Sequence, residues 1–267
     1  MDIGTAKPSS EEQQIVPHHL IDIVNPDVRF SAGEFARQAD KVLDNLHQQG
    51  KSPLIVGGAG LYLQALMGGL FTSPVIPPDV RAKVAAHLQA MPTDSLYNKL
   101  QTVDVESSAR IHPNDRQRIE RALEVYEATG TSLTAWHRKS APGKPDHALM
   151  LIGLNRPRVE LYDRINQRVD RMLDRGLVEE VHRLLGLGYT EVSCALKTFG
   201  YAEILNYIKG SVSLEAAADQ IRLQSRRYAK RQLTWFRNRE EILWIDIEGD
   251  ESPNSICDRI VAQIAPN

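Results

Sequence analysis

The spacing of apolar and polar positions divides the chain into helices separated by a few short apolar runs. Between Ser31 and Gly50, Phe35, Ala39, Val42, Leu43 and Leu46 recur at helical spacing. Ser31 and Glu34 are placed as a capping box, and Gly50 closes the segment. Leu54, Ile55 and Val56, entered from Pro53, predict a short strand, followed by Gly57-Gly58-Ala59-Gly60 and the helical pattern of Leu61, Leu63, Ala65 and Leu66. A strand–turn–helix corner of this kind offers backbone N–H groups and a helix N-terminus to an anion, and it serves equally as a sharp structural turn. Pro17 to Val24 predicts a further extended segment, and Ser9 followed by two acids predicts a short helix start. His18 and His19 alternate in extended chain, so they face opposite sides and do not suit a shared metal.

After Phe71 the turn-rich stretch TSPVIPP opens a second, helical region. Its strongest helix is DRQRIERALEVYEATG, capped by Asn114 or Asp115, with Ile119, Leu123 and Tyr126 on one face and Gln117, Arg118 and Arg121 on the polar faces. Those arginines suit either ion pairs with Glu120, Glu124 and Glu127 or contacts to phosphates. The region ends in the loop SAPGKPD. Ala148 to Leu154 is a dense apolar run, long enough for a buried parallel strand. Helical patterns follow from Arg156 onward, then the long helix 214–237, the closing strand in EILWIDIEG and a final helix. The expected organisation is an α/β core from residues 1–73 and 147–267, interrupted by a helical insertion at 74–146.

Composition changes this picture in one place. With 267 residues, 42% of them hydrophobic, the chain can bury a core, and no run approaches the roughly 18 apolar residues of a membrane span. The first residues lack the basic and apolar regions of a secretory signal, which sets the cytoplasm as the expected compartment. Cys194 and Cys257 are too few for a disulfide scaffold. The net charge of -2 hides a local excess: residues 220–239 hold Arg222, Arg226, Arg227, Lys230, Arg231, Arg237 and Arg239 and no acid. Like charges at helical spacing repel one another, and a polyanion partner relieves them. Gly50-Lys51-Ser52 is not a phosphate loop, because Asn45 stands where the motif needs glycine and the tripeptide follows a helix rather than a strand.

Taken together, Asp2-Ile3-Gly4-Thr5-Ala6-Lys7-Pro8, Pro17-His18-His19-Leu20-Ile21-Asp22, Ser31-Ala32-Gly33-Glu34-Phe35, the corner at Gly57, His112-Pro113-Asn114-Asp115 with Arg118 and Arg121, Gly200-Tyr201, and Arg227-Tyr228-Ala229-Lys230-Arg231-Gln232-Leu233-Thr234-Trp235-Phe236 resemble the bacterial tRNA dimethylallyltransferase family over the whole chain. The resemblance implies a P-loop-kinase-like parallel sheet core with a helical insertion that clasps the anticodon stem-loop. It implies transfer of a dimethylallyl group from dimethylallyl diphosphate to N6 of adenosine 37, in tRNAs reading codons that begin with U, by a monomer with Mg2+ as its expected cofactor. On that resemblance Ala59, Arg81, Gln117, Arg118, Arg121 and Lys197 face the RNA, with Ala59 standing where relatives carry threonine. Arg227, Lys230 and Arg231 flank the diphosphate, and Asp2, Thr5, Lys7, Gly57, Gly58, Gly200 and Tyr201 line the channel of the flipped base.

The family's first strands and its GPTxSGK[ST] loop are not among these residues. The resemblance therefore leaves the catalytic carboxylate and the metal ligands unassigned in this chain, and a misplaced start codon is the expected reason. The competing expectation is a tRNA-binding fragment without catalysis.

Overall fold

The computed structural model describes residues 1–68, 74–139 and 149–264. The segment SAPGKPD lies outside the described residues, as do Thr72, Ser73 and Ala148. Two compact units are present, one from Met1–Leu63 with Ala148–Asn267 and the other from Gln64–His147.

In the first unit, α1 (Ser10–Ile15) is closed by a capping box between Ser9 and Glu12, and α2 (Ala32–Gln48) is capped by the Ser31 hydroxyl on the Glu34 N–H. Ala32, Ala39 and Leu43 are its buried stripe. α3 (Gly60–Leu66) follows the glycine corner. The strands expected at 54–56 and within 17–24 do not form. Leu54 and Val56 are 83% and 85% exposed, and neither segment has a ladder partner among the described residues. Apolar residues make a strand only when a neighbour satisfies their backbone and covers their side chains.

The second unit is helical: α4 (Pro78–Gln89), α5 (Thr93–Val103), α6 (Val105–Arg110), α7 (Arg116–Thr129) and α8 (Leu133–Lys139). Leu88, Leu96, Leu100, Ile119, Ala122 and Leu123 form its core, each nearly or completely withdrawn from water. Asp115 caps α7 through the Arg118 N–H, and Gly130 ends it with φ +69°, a left-handed conformation that suits a residue without Cβ.

The sequence pattern predicts no helix at α8, because that helix is set by a buried polar anchor. Asp104 caps α6 through the Ser107 N–H (3.1 Å) and also accepts from the Ser107 hydroxyl (2.8 Å), the Thr134 N–H (3.0 Å) and the Thr134 hydroxyl (2.7 Å). Burial pushes the Asp104 carboxyl up, but these four hydrogen bonds outweigh it and hold it below the usual carboxylate range. A carboxylate depressed in the folded state contributes stability that is present above the unfolded value of about 3.9 and is lost as pH falls through the folded value. Acid titration followed by circular dichroism is therefore expected to show wild type losing stability below about pH 4 more steeply than Asp104→Asn, which starts less stable.

The chain then returns to the first unit. β1 (Leu151–Asn155) leads into α9 (Arg158–Asp174) and α10 (Leu177–Gly186). A 3₁₀ turn at Ala195–Lys197 precedes α11 (Tyr201–Ile208), α12 (Leu214–Arg237), β2 (Ile242–Asp246) and α13 (Pro253–Ile264). β1 and β2 pair in parallel, from Leu151 opposite Ile242 to Asn155 opposite Asp246, as the one sheet among the described residues. The architecture is a small parallel sheet surrounded by helices, a reduced P-loop-like fold with a helical insertion. Val169 and Met172 of α9, Leu177, Val181 and Leu184 of α10, Tyr201, Ile204 and Leu205 of α11, and Ile221 of α12 form the core that fixes α12. At 24 residues α12 is roughly 36 Å long, so its C-terminal half extends well past that core.

Candidate functional site

α12 sorts its cations by what faces them. Arg222 is held by Asp170 of α9 and by Asp219, 2.6 Å away one turn back, and Arg226 donates to the Asn166 side chain at 2.9 Å and lies over the Tyr162 ring. The expectation that the whole basic run is free for a polyanion is thus corrected for these two, which face the helix packed beside them, and for Arg239, which pairs with Glu241 at 3.1 Å. Arg227, Lys230 and Arg231 have no carboxylate partner among the described residues. With Thr234, Trp235 and Asn238 they line an open hollow of about 520 Å³. Arg231 also lies over the Tyr228 ring, 5.7 Å from its centroid. Three cations without carboxylate partners among the described residues, within little more than one turn of helix, raise each other's energy, and an anion in the hollow lowers it.

The glycine corner is carried by the same helix. The Gln232 amide donates to the Gly58 carbonyl at 2.9 Å, and Gly60 lies so close to the Trp235 indole that a Cβ there would overlap the ring. Arg239 stacks on that indole, 4.3 Å from its centroid. Gly57 and Ala59 are exposed. One face of the C-terminal half of α12 therefore presents the cations, and the neighbouring residues fix Gly58 and Gly60.

Lys197 lies exposed on the 3₁₀ turn, which is held by the Ala195 N–H on the Pro26 carbonyl (3.0 Å). Behind it Phe199 packs on Tyr228 of α12, with centroids 5.4 Å apart. Gly200, at φ +95°, turns the chain into α11.

The Asp2–Lys7 loop is a small electrostatic knot. Lys7 pairs with Asp2 and, at 2.6 Å, with Asp22. Burial lowers the Lys7 ammonium, but the two carboxylates outweigh it and hold it above its usual range; Lys7 in turn holds Asp2 below the usual carboxylate range. The Thr5 hydroxyl donates to the Met1 carbonyl at 3.0 Å. The sequence reading missed Glu180, whose side chain is wholly buried and accepts from the N–H groups of Asp2, Ile3 and Gly4 and from the Tyr201 hydroxyl. Burial first, and then that bond to Glu180, push the Tyr201 phenol far up, so it remains a donor. The available signal was an acid on the apolar stripe of Leu177, Val181 and Leu184.

In the helical unit, Glu124 joins two of the predicted RNA contacts. One of its oxygens accepts from Arg81 at 2.8 Å and the other from Arg121 at 3.1 Å. Arg118 is 73% exposed with Asp115 at 3.3 Å, and Gln117 is exposed beside it. Among the described residues no group of three His, Cys, Asp or Glu side chains converges. No helix among them is long and apolar enough to cross a membrane.

Comparison with known proteins places this geometry in context. The family model described as IPP transferase matches residues 1–239. A tRNA dimethylallyltransferase of Alkaliphilus oremlandii is 43% identical over 262 residues, 98% of this chain and 83% of that protein. A tRNA dimethylallyltransferase 2 of Geotalea uraniireducens is 43% identical over 261 residues, covering 98% and 84%. The crystal structure of the full-length tRNA isopentenylpyrophosphate transferase of Bacillus halodurans superimposes with a TM-score of 0.69 at 38% identity, over 99% of this chain and 82% of that one. A eukaryotic dimethylallyltransferase acting on tRNA gives a TM-score of 0.75 at 25% identity, over 99% and 70%.

Proposed function

We propose a function from one premise: the chain belongs to the IPP transferase family. Its part is in the transfer of a dimethylallyl group from dimethylallyl diphosphate to N6 of adenosine 37 of tRNA. The N6–carbon bond forms as the allylic carbon–oxygen bond breaks, N6 gives up a proton, and diphosphate leaves with the bonding pair. The observation that carries the site assignment is the hollow on α12, where Arg227, Lys230 and Arg231 lie together without carboxylate partners among the described residues. Cations held this way stabilise the charge that develops on the departing diphosphate.

The same helix holds Gly58 and Gly60, so the diphosphate side and the corner proposed to border the flipped base share one support. Ala59 on that corner has no hydroxyl to offer the base. Arg81, Arg118 and Arg121, with Gln117, are the proposed contacts to the anticodon stem-loop. Lys197 is a separate proposed contact, near the pyrophosphate and the base. Magnesium accompanies the diphosphate in this reading. None of the 267 residues forms a GxxxxGK[ST] loop, so what they supply is the RNA-facing surfaces and the α12 cations.

Residues 1–267 are expected to bind an anticodon stem-loop carrying A37 more tightly than a plain RNA duplex of equal charge, with an affinity that falls steeply as salt rises. Equal affinity for the duplex, measured by filter binding or anisotropy, would reduce the chain to a general polyanion binder.

A further inference from the structure

A buried carboxylate far in sequence from the groups it serves is costly unless it is fully satisfied, and what satisfies Glu180 is informative. Its Oε2 accepts from the Ile3 N–H at 3.1 Å, the Gly4 N–H at 3.3 Å and the Tyr201 hydroxyl at 2.9 Å, and its Oε1 accepts from the Asp2 N–H. Three successive backbone donors on one carboxylate fix a loop far more tightly than packing of its side chains, three of which, Asp2, Thr5 and Ala6, are exposed. The loop also presses on the other donor. Gly4 lies against the Tyr201 ring, and a Cβ at residue 4 would overlap it. Arg183, 3.7 Å from Oε1 and 4.0 Å from Asp2 Oδ2, closes the outer side of the cluster.

We propose that Glu180 is a positioning residue that locks the Asp2–Lys7 loop and Tyr201 together as one wall of the base channel. The assignment of that wall to the base rests on the function proposed above, whereas the locking itself does not. Glu180 touches no substrate. It acts through the loop, whose Lys7–Asp2–Asp22 knot is carried in register with Tyr201 once residues 2–4 are fixed. Replacement by glutamine keeps the shape but turns one oxygen into an NH2 group that faces a donor, and it removes the charge from the remaining bonds.

The test uses the 267-residue chain, with hydrogen exchange of individual amides followed by NMR. In Glu180→Gln the Ile3 and Gly4 amides are expected to lose protection by about tenfold or more, while the Leu205 and Ile221 amides of the core keep theirs. Gly4→Ala, which leaves the carboxylate intact but forces the loop off the Tyr201 ring, is expected to give the same local loss, and it keeps the proposal testable if the glutamine variant fails to fold. Both variants are expected to lower the preference for a stem-loop with A37 over one with a pyrimidine there, about fivefold, at an unchanged salt slope.

Unchanged protection of Ile3 and Gly4 in both variants overturns the locking. Loss of protection spread evenly through the core also overturns it, since Glu180 would then be an ordinary stability element. Local loss of protection with no change in base preference overturns the assignment to the base channel. A wild-type chain that ignores the stem-loop would instead count against the proposed function, and the amide result would still decide the locking.

Discussion

Replacing Arg227, Lys230 and Arg231 together by alanine is expected to weaken binding of inorganic pyrophosphate to the chain by about two orders of magnitude, while leaving the fold intact. The three side chains project from the half of α12 beyond the core, and none is among the residues that bury Ile221 and its neighbours. Their loss removes mutual repulsion as well as an anion site, so the helix is expected to become no less stable. Charge-assisted hydrogen bonds contribute about 1.5–3 kcal/mol each, and three acting on one diphosphate are not additive, which is why the expected loss is about a hundredfold rather than their product. Arg222→Ala is the control. Its guanidinium is already taken by Asp170 and Asp219, so pyrophosphate binding is expected to change less than threefold, on the order of 0.6 kcal/mol. Trp235 lines the same hollow, and its fluorescence supplies the titration signal.

The second large effect is expected on RNA. The double replacement Arg118→Ala and Arg121→Ala is expected to remove two proposed phosphate contacts and so to lower the slope of log K against log salt by about 1.4–1.8. The pairing of Arg121 and Arg81 through Glu124 adds a sign that a plain count of arginines would miss. With the carboxylate present the trio carries one net positive charge; Glu124→Gln leaves two, and is expected to tighten binding at low salt and steepen the slope. Anisotropy titrations over a salt series check both directions. A slope unchanged in the double variant would remove these arginines from the RNA interface.

Much of the fold follows from periodicity, because the helices carry their own signals. The stripe of Phe35, Ala39 and Leu43, the cap at Asp115 and the stop at Gly130 are all local, and each is where its residues require. The failures are cooperative. Leu54–Val56 has strand composition, but a strand is completed by a neighbour and none is present among the described residues. α8 is fixed by Asp104, thirty residues earlier than Thr134, a contact that no window of pattern contains.

The site divides in the same way. Residue types on α12 mark a basic face, but only the packing of α9 separates the occupied Arg222 and Arg226 from the available Arg227, Lys230 and Arg231. Glu180 was legible only as an acid out of place on an apolar stripe; its donors lie more than 170 residues away along the chain, apart from Tyr201.

On the function proposed above, these residues supply the RNA and diphosphate surfaces of a dimethylallyl transfer whose phosphate loop is not among them. The most direct measurement incubates dimethylallyl diphosphate, magnesium and an A37 stem-loop with residues 1–267 alone, and separately with the same residues joined in frame behind a strand–GxxxxGK[ST]–helix segment from a family member. Nucleoside digests are then read by mass spectrometry. N6-dimethylallyladenosine is expected from the joined protein and none from residues 1–267 alone; transfer by residues 1–267 alone, or none by a folded joined protein that binds both substrates, would contradict the proposed function.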